Sequence, residues 1–240
     1  MKCKNCTMKK HIIISTLIIA NAISFAQEKK VEKGNKEYEK YAYSDAIQAY
    51  EKAAEKGYYN TEMLKKLGNA YYFNGELVRA LKWYKALFGM NDQQEFEYYY
   101  RYAQTLKATG NYAKADKILE LFNQKASTDK RGLLFEKNKN YLEQIKNNSG
   151  RFEIADAGIN SRYSDYGSSF LDNKLVFASA RDTGGVAKAK FKWTNKSFTN
   201  LYSAELNADG SVGIPKRFEN KINSSEQKGQ LDRYKKFIEE

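Results

Sequence analysis

Leu67-Gly68-Asn69-Ala70-Tyr71-Tyr72-Phe73-Asn74-Gly75-Glu76, followed by Ala80-Leu81-Lys82-Trp83-Tyr84, is the stretch whose reading decides the fold. Leu64, Leu67, Gly68, Tyr71 and Tyr72 recur at helical spacing, Gly75-Glu76 breaks the pattern, and Ala80, Leu81, Tyr84, Leu87 and Phe88 restart it. The same pattern lies on either side. Gly34, Ala46, Tyr50 and Ala53 precede Gly68, Ala80, Tyr84 and Leu87, and Ala103, Ala115, Leu119 and Phe122 follow, at steps of 34 and then 35 residues. Repeats of that length predict stacked helical hairpins, an architecture that presents binding surfaces. Gly68 and Ala80 are expected where the two helices of a hairpin cross, with Tyr84 and Leu87 filling the groove against the neighbouring hairpin. Gly110-Asn111 repeats the turn of Gly75-Glu76, and Tyr41-Ala42-Tyr43 takes its place in the first repeat. A last amphipathic helix over Leu133–Ile145, carrying Leu134, Tyr141 and Leu142, is expected to cap the stack.

These residues resemble the tetratricopeptide repeat over roughly residues 28–125. Repeat two meets the family's pattern well and the other two adequately. The chain departs from it at Asp92, where the family often has Pro, and at Ala103 and Leu106, which replace the usual Gly and Tyr.

At 240 residues with 42% hydrophobic and 29% charged residues, the chain has enough apolar material for a core and room for one or two domains. Lys9-Lys10, the apolar run Ile12 to Ala22 and the small-x-small site Ser24-Phe25-Ala26 read as an export signal cut before Gln27. Residue 27 is not Cys, which argues against a lipid anchor. Cys3, Cys6 and His11 all precede the cut, and Met8 is a plausible start. The mature chain therefore has neither Cys nor His, which excludes Cys/His metal sites, Ser-His-Asp triads and Cys-His nucleophiles. The formal charge of +12 includes Lys2, Lys4, Lys9 and Lys10, so cleavage leaves about +8, interspersed with acids and without a dense basic run. Nucleic acid is not an expected partner.

After Asn147-Asn148-Ser149-Gly150 the period changes. Phe152-Glu153-Ile154, Leu175-Val176-Phe177-Ala178-Ser179 and Leu201-Tyr202-Ser203-Ala204-Glu205-Leu206 are short β-type runs, separated by turn chemistry at Asp172-Asn173, Asp182 to Gly185 and Asn207 to Gly210. Ser164-Asp165-Tyr166-Gly167, the strand ending in Ser179-Ala180-Arg181, and Asn200-Leu201-Tyr202-Ser203-Ala204 resemble the opening of a WD-like β-propeller blade, with Lys221-Ile222-Asn223-Ser224 as the lead-in to a second. Signal, three helical repeats and blade in this order resemble the N-terminal part of a family of envelope proteins of gliding, type IX-secreting bacteria. Members of that family continue to an outer-membrane-protein-A-like domain. The charged run Leu231 to Glu240 departs from the family, which suggests a truncated or frame-shifted copy, and peptidoglycan binding is not carried over. One blade cannot close a propeller, and an open sheet edge over residues 150–225 is a docking or aggregation hazard.

The expected fold class is therefore α+β and multidomain. Residues 1–26 are read as the signal peptide, 27–148 as a three-hairpin α-solenoid with a capping helix, 149–225 as an incomplete all-β propeller-like segment, and 226–240 as a helical or disordered tail. The repeat-family resemblance implies that partners bind the inner face of each hairpin's first helix. On this register that face holds Asn35 and Tyr38, then Lys65, Asn69, Tyr72 and Phe73, then Tyr100, Gln104 and Lys107, together with Glu62 and Glu97. Amides can bond a peptide backbone, and tyrosines give large contact area at low entropic cost. The other reading of this face is a set of solvated polar positions repeated through shared ancestry. Val31 stands where a carboxylate clamp needs Lys, so capture of a free C-terminus is not expected.

Tyr98-Tyr99-Tyr100 with Tyr102 points in several directions on a helix and reads as packing rather than a sugar platform. Asp165 and Asp172 lie in turns, no Asp-x-Asp-x-Asp-Gly loop occurs, and Gly184-Gly185 is no phosphate loop. The function these readings imply is a non-enzymatic scaffold without cofactor. It would be exported to the periplasm or the periplasmic face of the outer membrane. Its partners would be protein, such as an outer-membrane barrel or a secretion or gliding component, with only indirect membrane contact. A glycan-binding or hydrolytic propeller, or a non-functional remnant, are the alternatives.

Overall fold

The computed structural model describes residues 25–181 and 190–218. The signal segment up to Ser24, both cysteines, His11, the turn Asp182 to Gly185, the lead-in Lys221 to Ser224 and the tail after residue 225 lie outside the described residues. The chain divides into a helical unit, to which Lys192–Thr194 also belongs, and a β unit that begins at Ile145.

In the helical unit, α1 is helical up to residue 39, followed by α2 (Tyr43–Ala54), α3 (Thr61–Phe73), α4 (Leu77–Met90), α5 (Phe96–Ala108), α6 (Tyr112–Lys125), α7 (Lys130–Lys137) and the first turn of α8 (Tyr141–Asn148), whose remainder is counted with the β unit. Helices α3 and α4 pack as one hairpin, α5 and α6 as another, and α4 meets α5 between them. Asn60, Asn111 and Asp129 accept hydrogen bonds from Met63, Lys114 and Arg131 N–H, closing the starts of α3, α6 and α7.

The small positions have a specific purpose. A Cβ on Gly34 would lie 2.5 Å from the Tyr50 ring, and one on Gly68 would lie 2.7 Å from the Tyr84 ring. Tyr84 thus packs closely on Gly68 of its own hairpin, and its ring centroid also lies 6.5 Å from that of Tyr98 of α5 in the neighbouring hairpin. Sixteen residues also separate Ala103 from Leu119 in the third repeat, where both are buried: the added methyl is matched by a smaller partner.

Each first helix ends the same way. Gly75 N–H bonds to Tyr72 C=O and Glu76 N–H to Tyr71 C=O; Gly110 and Asn111 do the same with Lys107 and Leu106. Both glycines adopt positive φ, near 75°. In the first repeat the bonds recur from Tyr41 to Tyr38 and from Ala42 to Glu37, but the left-handed position is held by Tyr41, with φ 57°.

The capping helix differs from the expectation. It is broken in two at residues 138–140, where Asn138 N–H and side chain both bond to Leu134 C=O. The buried residues of α7 are Gly132 and Phe135, while Leu134 is 63% exposed and Leu142 sits at the surface. Gly132 packs on Asn123 of α6, and Tyr141 donates to Asp116.

In the β unit, β1 (Asp165–Leu171), β2 (Lys174–Ser179), β5 (Asn200–Glu205) and β6 (Lys216–Arg217) form an antiparallel sheet in that order, and β3 (Lys190–Phe191) pairs with β4 (Lys196–Ser197) separately. Phe177, Tyr202 and Ile159 make its small core, with Leu175 and Val212 packed on them. Asp172 at φ 49° makes the β1–β2 turn, and Gly167 at φ 65° sits at a register shift in β1. The Ser-Asp-Tyr-Gly and Ser-x-Arg stretches pair as neighbouring strands and are also joined by an ion pair: Arg181 Nη2 lies 3.0 Å from Asp165 Oδ1 and also donates to Ile159 C=O. The other carboxylate oxygen accepts from Ser161 N–H and Oγ. Burial opposes the Asp165 charge, but the Ser179 and Ser161 hydroxyls, the Ser161 N–H and Arg181 outweigh it and hold the carboxyl well below the usual range.

Candidate functional site: the inner face of the helical unit

The inner-face positions come from helices α1, α3 and α5, whose identical turns keep them in register. The cluster centres on Asn69, which is 6% exposed. Its Oδ1 accepts from Tyr84 Oη at 2.8 Å and from Arg101 Nη1 at 2.7 Å, and its Nδ2 donates to Tyr38 Oη at 3.3 Å. In the first repeat Asn35 Oδ1 likewise accepts from Tyr50 Oη at 2.8 Å. The Asn69 amide is therefore engaged within the protein. That amide joins all three hairpins and orients Arg101, and leaves little capacity for a ligand.

Around it stand Tyr38, Tyr72, Phe73 and Tyr98. Tyr72 and Phe73 meet edge to face at 5.9 Å, and Tyr43 stacks on Phe73 at 5.6 Å. The Arg101 guanidinium lies 4.9 Å from the Phe73 ring and 5.9 Å from those of Tyr72 and Tyr98, with Nε 3.3 Å from Glu97. Burial raises the pKa values of Tyr38, Tyr72 and Tyr98, so the three phenols stay neutral donors at physiological pH. Lys65 bonds Glu95 at 2.7 Å and reaches the Tyr98 ring.

Toward the cap, Arg131 holds Glu97 at 2.7 Å and Asp129 at 2.9 Å and lies 4.3 Å from the Tyr100 ring. Lys107 sits 3.9 Å from the Tyr141 ring, and burial lowers its pKa. Gln104 is half-buried on α5. Tyr38, Asn69, Tyr72 and Phe73 are thus brought into one cluster; Asn35 is tied to Tyr50, while Tyr100 and Lys107 belong to the cap-proximal end.

Arg101 and Arg131 were not picked out by sequence reasoning. A signal did exist for the first. Lys66 lies 5.5 Å from the Tyr38 ring and Arg101 covers the Tyr72 ring, so a cation follows each inner-face tyrosine by 28 and 29 residues. The tyrosine run splits as expected of a helix: Tyr99 and Tyr102 are buried against Phe88, while Tyr98 and Tyr100 face the other way. A separate open concavity of about 660 Å3 is lined by Phe88, Tyr99, Tyr102, Lys85, Lys114 and Lys125. Among the described residues no group of three or more Asp, Glu, His or Cys could hold a metal ion, and no helix is long and apolar enough to cross a membrane.

No family model and no curated protein matches the chain. Among solved structures, it is similar to the Sgt2 TPR domain from Aspergillus fumigatus, with 21% identity, a TM-score of 0.39, and 55% of this chain and 87% of that one covered. It is also similar to the type III secretion translocator chaperone SycD of Yersinia enterocolitica, with 20% identity, a TM-score of 0.36, and 52% and 94% covered.

Proposed function

We propose that this chain is a non-enzymatic scaffold that holds a protein partner on the inner face of its helical repeats. The observation that carries the reading is the half-buried Arg101, fixed by Asn69 and Glu97 and ringed by Tyr72, Phe73 and Tyr98. Such a group is pre-ordered, so binding loses little side-chain entropy, and arginine with tyrosine is the composition of energetic centres in protein interfaces. Tyr38, Lys65, Tyr100, Gln104 and Lys107 extend the contact surface, and Asn35 and Asn69 position it. The four-stranded antiparallel sheet of the β unit, closed by Asp165 and Arg181, suits a single propeller-type blade. The export signal and the resemblance to envelope proteins of gliding bacteria support a setting at the periplasmic face of the outer membrane, in type IX secretion, gliding or envelope assembly.

The test is mild crosslinking of the tagged full chain in cells, followed by identification of co-purified outer-membrane proteins. The expected result is an outer-membrane component recovered with the wild type and lost with Arg101→Ala. Recovery of no such component, or equal recovery with the variant, refutes the reading.

A further inference from the structure

Tyr41 is the residue that breaks the rule of the array. Its counterparts are Gly75 and Gly110, and an L side chain in the left-handed region costs about 1 kcal/mol more than glycine. Strain of this kind persists where surrounding contacts hold it. The Tyr41 ring is stacked on the Trp193 indole, 6.1 Å between centroids with 9° between planes. Tyr43 meets the indole edge to face at 4.7 Å. Trp193 Nε1 donates to Phe73 C=O at 3.4 Å, and Ser44 N–H donates to Lys192 C=O at 3.2 Å.

Lys192–Thr194, in the turn between β3 and β4, therefore lies in the helical unit as a peptide loop does in a receptor. Its contacts include an aromatic anchor, an indole hydrogen bond and a backbone hydrogen bond. The cradle joins the Arg101 cluster directly, since Tyr43 stacks on Phe73 and Arg101 covers Phe73.

We propose that the cradle of Tyr41, Tyr43 and Phe73 is a docking site for a tryptophan in a turn of a protein partner, and that Trp193 is its internal occupant. The inference deepens the scaffold reading and rests on it. A tethered occupant competes at an effective concentration on the order of millimolar. Partners that lack an aromatic anchor are thereby screened out, and a partner must displace Trp193 to engage.

The experiment titrates the blocked peptide Lys-Phe-Lys-Trp-Thr-Asn-Lys-Ser, the sequence of residues 190–197, into full-length wild type and Trp193→Ala by calorimetry. The peptide is expected to bind Trp193→Ala at least roughly tenfold more tightly than wild type, because the competitor is gone. Replacing its tryptophan by alanine should abolish binding, and adding Tyr41→Ala to the protein should weaken it. A second readout needs no peptide: Tyr41→Ala alone should raise acrylamide quenching of Trp193 fluorescence. Equal affinity for both proteins, absence of binding to Trp193→Ala, or binding of the tryptophan-free peptide overturns the proposal. So does a concentration-dependent dimer of the wild type that Trp193→Ala abolishes, since the occupant would then be a second copy. The crosslinking test reads Arg101 in cells and the titration reads Tyr41 with purified components, so either can fail alone.

Discussion

Gly68→Ala is the sharpest test of how the hairpins are built. In an ordinary helix interior this change stabilises by about 1 kcal/mol, because alanine has the higher propensity. Here the new Cβ would lie 2.7 Å from Tyr84 Cε1, 2.9 Å from Cδ1 and 3.2 Å from Cζ. The ring cannot swing away at low cost. Tyr84 is fully buried, and its hydroxyl is held by Asn69 at 2.8 Å. Overpacking of this kind costs typically about 1–3 kcal/mol, and a displaced hydroxyl adds about 1 kcal/mol for its lost bond. Against the propensity gain, the net is a loss of about 1–3 kcal/mol. Urea unfolding followed by far-ultraviolet circular dichroism should show a lower midpoint with an unchanged slope. The companion measurement is the pair Gly68→Ala with Tyr84→Leu, which copies Ala103 and Leu119 of the third repeat. The two changes should couple favourably, by about 0.5–2 kcal/mol relative to the sum of the single variants. A Gly68→Ala protein as stable as wild type, or a double variant showing simple additivity, refutes the close-packing argument.

The remaining predictions concern other parts of the chain. Asp165→Asn should destabilise the β unit by about 3 kcal/mol, because it leaves Arg181 without its carboxylate in a mostly buried site; protease sensitivity of the region after residue 145 reads it. Since the folded-state pKa of Asp165 is depressed, its contribution is fully present above the unfolded value near 4 and is lost as pH falls below it, so the difference between wild type and Asp165→Asn should narrow in acid. Asn60→Ala should cost about 1 kcal/mol through loss of the α3 cap, read by thermal melting. Tyr41→Gly should leave the helical melt within about 1 kcal/mol of wild type, because relief of the left-handed strain offsets the lost stacking on Trp193.

The array was legible because its information is local and repeated. Gly68, Gly75 and Tyr84 each occupy a position with one physical requirement, and the requirement recurs at 34 residues. The capping helix was misread because its apolar periodicity continues across residues 138–140, while the break comes from Asn138 folding back on Leu134, which carries no glycine or proline signal. The chemistry within the inner-face positions was not legible. Asn69 looks like an open amide until Tyr84, Arg101 and Tyr38 are seen to consume it, and two of those partners come from other hairpins. The strands β2 and β5 were visible as apolar runs. The Asp165–Arg181 bond was not, because a sixteen-residue separation between opposite charges has no meaning until the register of β1 and β2 is known.

The cation that covers each inner-face tyrosine comes from a neighbouring helix, and this gives the array a direction of growth. Tyr38 receives Lys66 and Tyr72 receives Arg101, so the first and second hairpins each end in a socket that a following hairpin fills. In the third hairpin Tyr100 likewise receives Arg131 of α7, but at the position equivalent to Tyr38 and Tyr72 the roles invert: the residue there is Lys107, and the rings of Phe135 and Tyr141 supply the aromatic half. At that position the third hairpin is thus matched to the aromatic rings of α7 and α8 and not to the cation of another hairpin. A lengthened version of this protein would be made by duplicating the second hairpin between the first and third, whereas a copy spliced after Lys125 would meet a plug with the wrong polarity.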